Sequence, residues 1–275
     1  MKFLLILSFV LLQGGTPGFA FPVQGTLQKI GAIQHLGQVP VAVMDLDETL
    51  IHSDKRKVAS YIEALKNNAT TGLSKWPTET KMAYEKLSYS GETPMRALSN
   101  QYDSIALFQH FGIQNLDFVH ALDTLMLPIY LSGEYIFLDS ANRGAVGLLS
   151  AIYRAGGKVF FVTSRFEGAQ GPATMESLQK LNLYHNQEQS FLVLRREGET
   201  SLDFKKRSFQ EIRSSLSSNE NVFLVSENEP ENLNAMIDSF PSAMPVFVIG
   251  AIMHLDVPLN PMAPIVYTSD FTERE

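Results

Sequence analysis

Cysteine is absent from the chain, and that removes several chemistries at once. No thiolate can ligate a metal, no cysteine can act as nucleophile, no disulfide can form, and no cysteine can carry a lipid behind a leader segment. Positive charge is in short supply as well: 22 lysines and arginines face 29 aspartates and glutamates, for a formal charge of −7. A general nucleic-acid binder needs a basic face that this balance does not provide. No internal repeat or low-complexity tract is visible. The apolar run that opens the chain, Phe3 to Leu12, is too short to span a bilayer as a helix.

That run belongs to a layout expected of an export signal. Lys2 precedes it, and Gly14-Gly15-Thr16-Pro17-Gly18-Phe19-Ala20 follows with small residues at a cleavage position. Residues 1–20 are read as a signal peptide. The mature protein is expected near Phe21, outside the cytoplasm (periplasmic or extracellular), with no stable membrane anchor after cleavage. A chain of 275 residues, 45% of them hydrophobic, can bury one sizeable core and a smaller module.

The pattern from residue 139 onward alternates helices with short apolar strands, which predicts a doubly wound parallel, Rossmann-like α/β sheet. Strands are expected at Lys158–Val162, Phe191–Leu194, Asn221–Val225 and Pro245–Ile249. Helices are expected after Ser140 as cap, from Pro172, from about Lys205 and near 230–238, and the last twenty or so residues read as a loop-rich tail. Residues 21–40 read as a lead-in segment with a short helix or edge strand. Between residues 51 and 138 the pattern is mostly helical, with helices after Ser53 or Asp54, near 78–90 and over 94–111. An insertion of this size should be a packed module. Its Trp76, Tyr84, Tyr89, Tyr102, Phe108 and Phe111 can face a ligand or form the module's own core. Lys55-Arg56-Lys57 reads as a solvated helix face or as a cationic spot that could steer a phosphate.

The stretch that organises the chain is Val41-Ala42-Val43-Met44-Asp45-Leu46-Asp47-Glu48-Thr49-Leu50. Its apolar half predicts a buried parallel strand. Ligands of open α/β sheets bind outside the carboxyl ends of the strands, where Asp45 and Asp47 fall. Two residues apart on extended chain, both can face one substrate. Carboxylates this close repel, and a metal ion or a shared proton would relieve them.

The hydrophobic strand followed by Asp-Leu-Asp-Glu-Thr-Leu resembles the first motif of the haloacid dehalogenase superfamily, Asp-x-Asp-x-Thr. Val-Phe-Phe-Val-Thr163-Ser164-Arg165 resembles its second motif, and Lys205-Lys-Arg-Ser-Phe-Gln-Glu-Ile its third, a lysine opening a helix with Lys206 as the alternative. The fourth departs from the usual Gly-Asp-x-x-x-Asp: here Ser226-Glu227-Asn228-Glu229-Pro230-Glu231 has glutamates for both acids and serine for glycine. The resemblance spans roughly residues 40–250 and is nearest to the secreted acid phosphatase branch.

The resemblance implies a core of residues 21–50 and 139–275, and a helical cap of residues 51–138 over the active site. It implies a phosphatase acting on a small phosphorylated substrate. Asp45 would attack to form an aspartyl-phosphate, and Asp47, held near its working pKa, would act as acid and base. Thr163, Ser164 and Lys205 would hold the phosphate. Mg²⁺ would be bound by Asp45, the backbone carbonyl of Asp47 and Glu227, with Asn228 and Glu231 supporting Glu227. The altered fourth motif leaves open a catalytically slow binding protein on the same scaffold, and transfer to an alcohol would make a phosphotransferase. N-terminal sequencing of the exported protein should give a start near Phe21; Met1 retained in a membrane fraction would remove the export reading.

Overall fold

The computed structural model describes residues 22–89, 104–249 and 257–272. The export segment, Tyr102 and the first part of the helix expected over 94–111 lie outside them. In chain order the elements are α1 (Val23–His35), β1 (Val39–Met44), β2 (Ile51–His52), α2 (Asp54–Asn68), α3 (Pro77–Tyr89), α4 (Ser104–His110), α5 (Leu116–Leu131) and β3 (Ser140–Ala141). There follow α6 (Ala145–Arg154), β4 (Lys158–Phe166), α7 (Glu167–Lys180), β5 (Ser190–Arg195), α8 (Ser201–Ser215), β6 (Glu220–Glu227), α9 (Pro230–Ser239), β7 (Met244–Val248) and β8 (Val266–Thr268). Among the described residues no helix is long and apolar enough to cross a membrane.

Six strands form one parallel sheet in the order β5-β4-β1-β6-β7-β8. Both faces are covered, so the strands are apolar on both sides. In β1, Ala42 and Met44 pack with Ile30 and Ile33 of α1, Leu149 and Ile152 of α6 and Leu178 of α7. Val41 and Val43 point the other way, to Phe204, Phe209 and Ile212 of α8 and Leu233 and Met236 of α9. The chain winds from β1 out to β5, then returns to place β6 on the other flank of β1. That reversal opens a crevice at the carboxyl ends of β1, β4 and β6.

Helices α2 to α5 build a second core of Tyr61, Leu65, Phe108, Phe118, Leu122 and their neighbours. Phe108 meets Tyr61 edge-on at 5.3 Å and Phe118 at 6.3 Å. Phe108 and Phe111 are thus core residues, whereas Tyr89 is exposed. Chain enters and leaves this unit through an antiparallel ribbon that pairs Ile51 with Ala141 and His52 with Ser140.

Four local expectations are corrected. Ser140 lies in β3 and caps nothing; α6 begins after Gly144, whose φ of 78° suits glycine. Pro172 sits inside α7, which starts at Glu167 because the Gln170 side chain accepts from the Phe166 N–H at 2.9 Å. Helix α8 starts at Ser201, where the Thr200 side chain accepts from the Asp203 N–H at 3.2 Å, so Lys205 lies a turn inside it. The tail supplies the edge strand β8 and then buries Phe271 in the core. A Cβ on Gly144 would lie 2.3 Å from the Phe271 carbonyl oxygen. Gly144→Ala should therefore destabilise the protein by about 1–3 kcal/mol or more in chemical denaturation; an unchanged midpoint would contradict this seating of the tail.

Candidate active site

The crevice assembles its groups from strand ends. Asp45 follows β1 directly, and its N–H donates to the Ser226 carbonyl at 3.0 Å, extending the pairing of β1 with β6 by one residue. The chain then turns sharply, with the N–H groups of Thr49, Leu50 and Ile51 all directed at the Leu46 carbonyl. Glu48 takes a φ of 59° in this turn, and its carboxylate accepts from the Ser53 N–H at 3.0 Å and the Ser53 hydroxyl at 2.7 Å. The carboxylates of Asp45 and Asp47 are thereby held at one crevice with different cationic partners.

Asp45 belongs to the first cluster. The Lys205 ammonium donates to Asp45 Oδ1 at 2.5 Å, to the Val162 carbonyl at 2.7 Å and to Glu227 Oε1 at 3.0 Å. Of the two lysines expected as alternatives, Lys205 is 1% exposed and sits in this cluster, whereas Lys206 is exposed to solvent. Glu227, the last residue of β6, also accepts from the Glu229 N–H at 2.7 Å and the Asn232 amide at 2.9 Å. Of the expected helpers, Asn228 accepts from the Thr49 hydroxyl at 3.3 Å and Glu231 stands half-buried in the first turn of α9. Asn232, in that same first turn, is the residue whose side chain donates to Glu227.

Burial and the nearby Glu227 charge push the Asp45 carboxyl up to about 7, against the pull of Lys205. One ammonium does not compensate two buried carboxylates. That deficit, with Asp45 Oδ2 and one lone pair of Glu227 Oε2 left over from the hydrogen bonds, fits a hard divalent cation. No three His, Asp or Glu residues converge as a cage among the described residues. Magnesium commonly uses one or two carboxylates, water and substrate phosphate, so none is required.

The second cluster holds Asp47. Arg165 binds it through two nitrogens, Nε to Oδ2 at 2.9 Å and Nη2 to Oδ1 at 2.8 Å, and Arg56 Nη2 reaches Oδ1 at 2.6 Å. Asp139 backs both guanidiniums, at 2.6 Å from Arg165 and 3.3 Å from Arg56. Burial alone would raise Asp47, but Arg165 and then Arg56 outweigh it and hold the carboxyl well below the usual range. This corrects the expectation of an Asp47 poised near its working pKa. Burial pushes Asp139 up to about 6 despite its two arginines. Thr163 donates to Asp47 Oδ2 at 3.4 Å, and the Ser164 hydroxyl pairs with Ser201 at 2.5 Å. The structure thus gathers Asp45, Asp47, Thr163, Lys205 and Glu227 around one crevice and sets Ser164 beside it.

Arg56, Tyr130 and Asp139 escaped the sequence reading. Arg56 is 1% exposed, contrary to a solvated Lys55-Arg56-Lys57 face. The signal available was spacing: Arg56 lies four and eight residues before Ser60 and Ala64, both on the buried stripe of α2.

The chain matches no family model and no curated protein. Its fold resembles solved haloacid dehalogenase-like structures. One is a haloacid dehalogenase-like hydrolase from Streptococcus pneumoniae, at 10% identity and TM-score 0.49 over 84% of this chain and 94% of that one. Another is CbbY from Rhodobacter sphaeroides in complex with phosphate, at 12% identity and TM-score 0.44 over 86% and 96%. A third is a class C acid phosphatase from Bacillus anthracis with tungstate bound, at 13% identity and TM-score 0.38 over 82% and 69%. The chemistry has to be read from this chain's own residues.

The raised carboxyls carry a stability signature. Asp45 and Asp139 bind protons more tightly folded than unfolded, so their contribution is full below their ordinary value of 3.8 and is lost as pH rises towards about 7 and about 6. Asp47 acts oppositely, with stability present above its ordinary value and lost in stronger acid. Thermal unfolding of the metal-free protein should therefore give a higher midpoint near pH 5 than near pH 8, and added divalent cation should narrow the gap. A midpoint that rises steadily to pH 8 without metal would contradict the uncompensated Asp45–Glu227 pair.

Proposed function

We propose that this protein is an exported, magnesium-dependent phosphatase that hydrolyses a small phosphate monoester through an aspartyl-phosphate intermediate. The observation that carries the reading is the convergence of Asp45, Lys205 and Glu227 at the point where the sheet reverses its winding. A buried carboxylate with a free oxygen beside a buried ammonium can attack an anionic electrophile that water would shield. The layout of Lys2, Phe3–Leu12 and Gly18-Phe19-Ala20 supports export. Helices α2 to α5, with their own core, are read as the cap that encloses the substrate.

In the first step Asp45 Oδ2 forms a bond to phosphorus as the bond to the ester oxygen breaks. Lys205 remains beside the attacked group and shifts part of its bonding from Asp45 to the phosphoryl oxygens, whose charge it offsets. Thr163 and Ser164 would turn their hydroxyls from Asp47 and Ser201 to the phosphoryl oxygens. The leaving oxygen takes a proton that Asp47 has first picked up from solvent, which requires one of its hydrogen-bond donors to withdraw. Asp47 then removes a proton from the water that attacks the aspartyl-phosphate, freeing inorganic phosphate and restoring Asp45. Asp45, the Asp47 carbonyl and Glu227 would hold magnesium, which when bound neutralises charge on the phosphoryl group and on the two carboxylates.

A screen of the mature protein against phosphate esters with and without Mg²⁺ tests the reading. Asp45→Asn should abolish turnover while leaving the fold intact, and Asp47→Asn should lower the rate by about 10²–10⁴-fold. Glu227→Gln should raise the Mg²⁺ concentration needed for half-maximal rate. Wild-type turnover retained by Asp45→Asn at saturating Mg²⁺ would refute the nucleophile, and phosphate recovered on an added alcohol would mark transfer in place of hydrolysis.

A further inference from the structure

The four acceptor positions of the Asp47 carboxylate are all taken. Arg165 occupies one on each oxygen, Arg56 the second on Oδ1 and Thr163 the second on Oδ2. A carboxylate has about four such positions, so a proton can reach Asp47 only when a donor withdraws. The donors are not equally fixed. Arg165 is bidentate and belongs to the core, where Asp139 holds it at 2.6 Å and Thr174 at 3.2 Å. Arg56 makes a single bond to Asp47 and rides on α2 of the inserted unit. The same unit supports it through the Tyr130 hydroxyl at 2.9 Å and the Tyr130 ring, its centroid 4.3 Å from the guanidinium carbon, while Asp139 pairs with it at 3.3 Å from the core side. Arg56 Nη1 is buried with no hydrogen-bond partner among the described residues. Asp47 itself keeps a quarter of its side chain exposed to the crevice.

We propose that Arg56, Arg165 and Asp139 are positioning residues for Asp47, with Arg56 applying its share from the inserted helices; the proposal rests on the phosphatase reading. Arg165 fixes the plane of the carboxylate. Asp139 keeps two neighbouring guanidiniums from repelling each other, which lets both face one carboxylate. Thr163, neutral and at 3.4 Å, is the weakest donor, and of the two cations Arg56 is the one that can give way, since its hold is monodentate and its helix belongs to the other packing unit. The clamp therefore governs both proton transfers of Asp47 and leaves the attack by Asp45 alone. Only the first of them, to the leaving oxygen, depends on the ester. An aryl phosphate expels a weakly basic oxygen with little help, whereas an alkyl phosphate needs its oxygen protonated as it leaves.

The test measures kcat and KM on p-nitrophenyl phosphate and glycerol phosphate for wild type and clamp variants, with thermal melting as a check on folding. Arg56→Met should lower kcat/KM on the alkyl ester roughly 10-fold or more, a fraction of what acid–base catalysis contributes. On the aryl ester kcat/KM, which reports only the steps up to departure of the phenolate, should change little, and Arg56→Lys should recover part of the loss. Because Arg56→Met leaves an unmatched buried acid, the charge-balanced Arg56→Met/Asp139→Asn variant is measured beside it and should show the same preference for the aryl ester. In an Asp47→Asn background, Arg56→Met should cost nothing further, since the residue it positions is gone. Equal losses of kcat/KM on both esters, or a loss that multiplies with that of Asp47→Asn, would overturn the proposal while sparing the phosphatase reading. A folded wild-type protein inert on both esters with Mg²⁺ present would overturn both.

Discussion

Everything at the crevice depends on matching buried charge. Four acids, Asp45, Asp47, Asp139 and Glu227, stand against three cations, Lys205, Arg56 and Arg165. Each cation is spent on more than one acid, because isolated ions cost too much to desolvate. Around Asp47 and Asp139 the account balances with two arginines. Around Asp45 and Glu227 it does not, and Asp45 shows the imbalance as a raised pKa. The asymmetry assigns character to two acids separated by a single leucine. Asp47 is a firmly held anion, while Asp45 responds to whatever positive charge enters the site.

Much of the fold was legible because parallel strands buried on both faces must be apolar and short, and Val41–Met44, Val159–Val162 and Val222–Val225 are. The helical insertion was legible from its length and the loss of strand pattern. Boundaries were less so. Ser140 and Pro172 are ordinary helix starters by residue type, but pairing with His52 claims Ser140, and a side-chain cap from Gln170 starts α7 five residues before Pro172. β8 was missed because an edge strand of three residues gives too short a signal to separate from loop.

At the site, acids and the lysine announced themselves by position at strand ends. The arginines did not, since one local run gives no information about the carboxylates waiting 9 and 83 residues away in sequence, at Asp47 and Asp139. Only the packing of α2 against the crevice turns Arg56 from a surface cation into a buried partner. Glu227 is a case of the opposite kind. There glutamate stands where the resembled motif has aspartate, and the entry to α9 meets the longer arm with the Glu229 N–H and the Asn232 amide.

The seating of Phe271 has a consequence for the order in which the molecule can be made. The ring lies in the same core as Ala145 and Leu148, and the Phe271 N–H donates to the Arg143 carbonyl at 2.8 Å. Any process that delivers the chain amino end first, whether synthesis or threading through a pore, presents β1 and its acids long before this plug arrives. Until then the start of α6 is open to water and the apolar layer beneath β1 is unsealed. A chain that lacks this last segment would leave that part of the core uncovered.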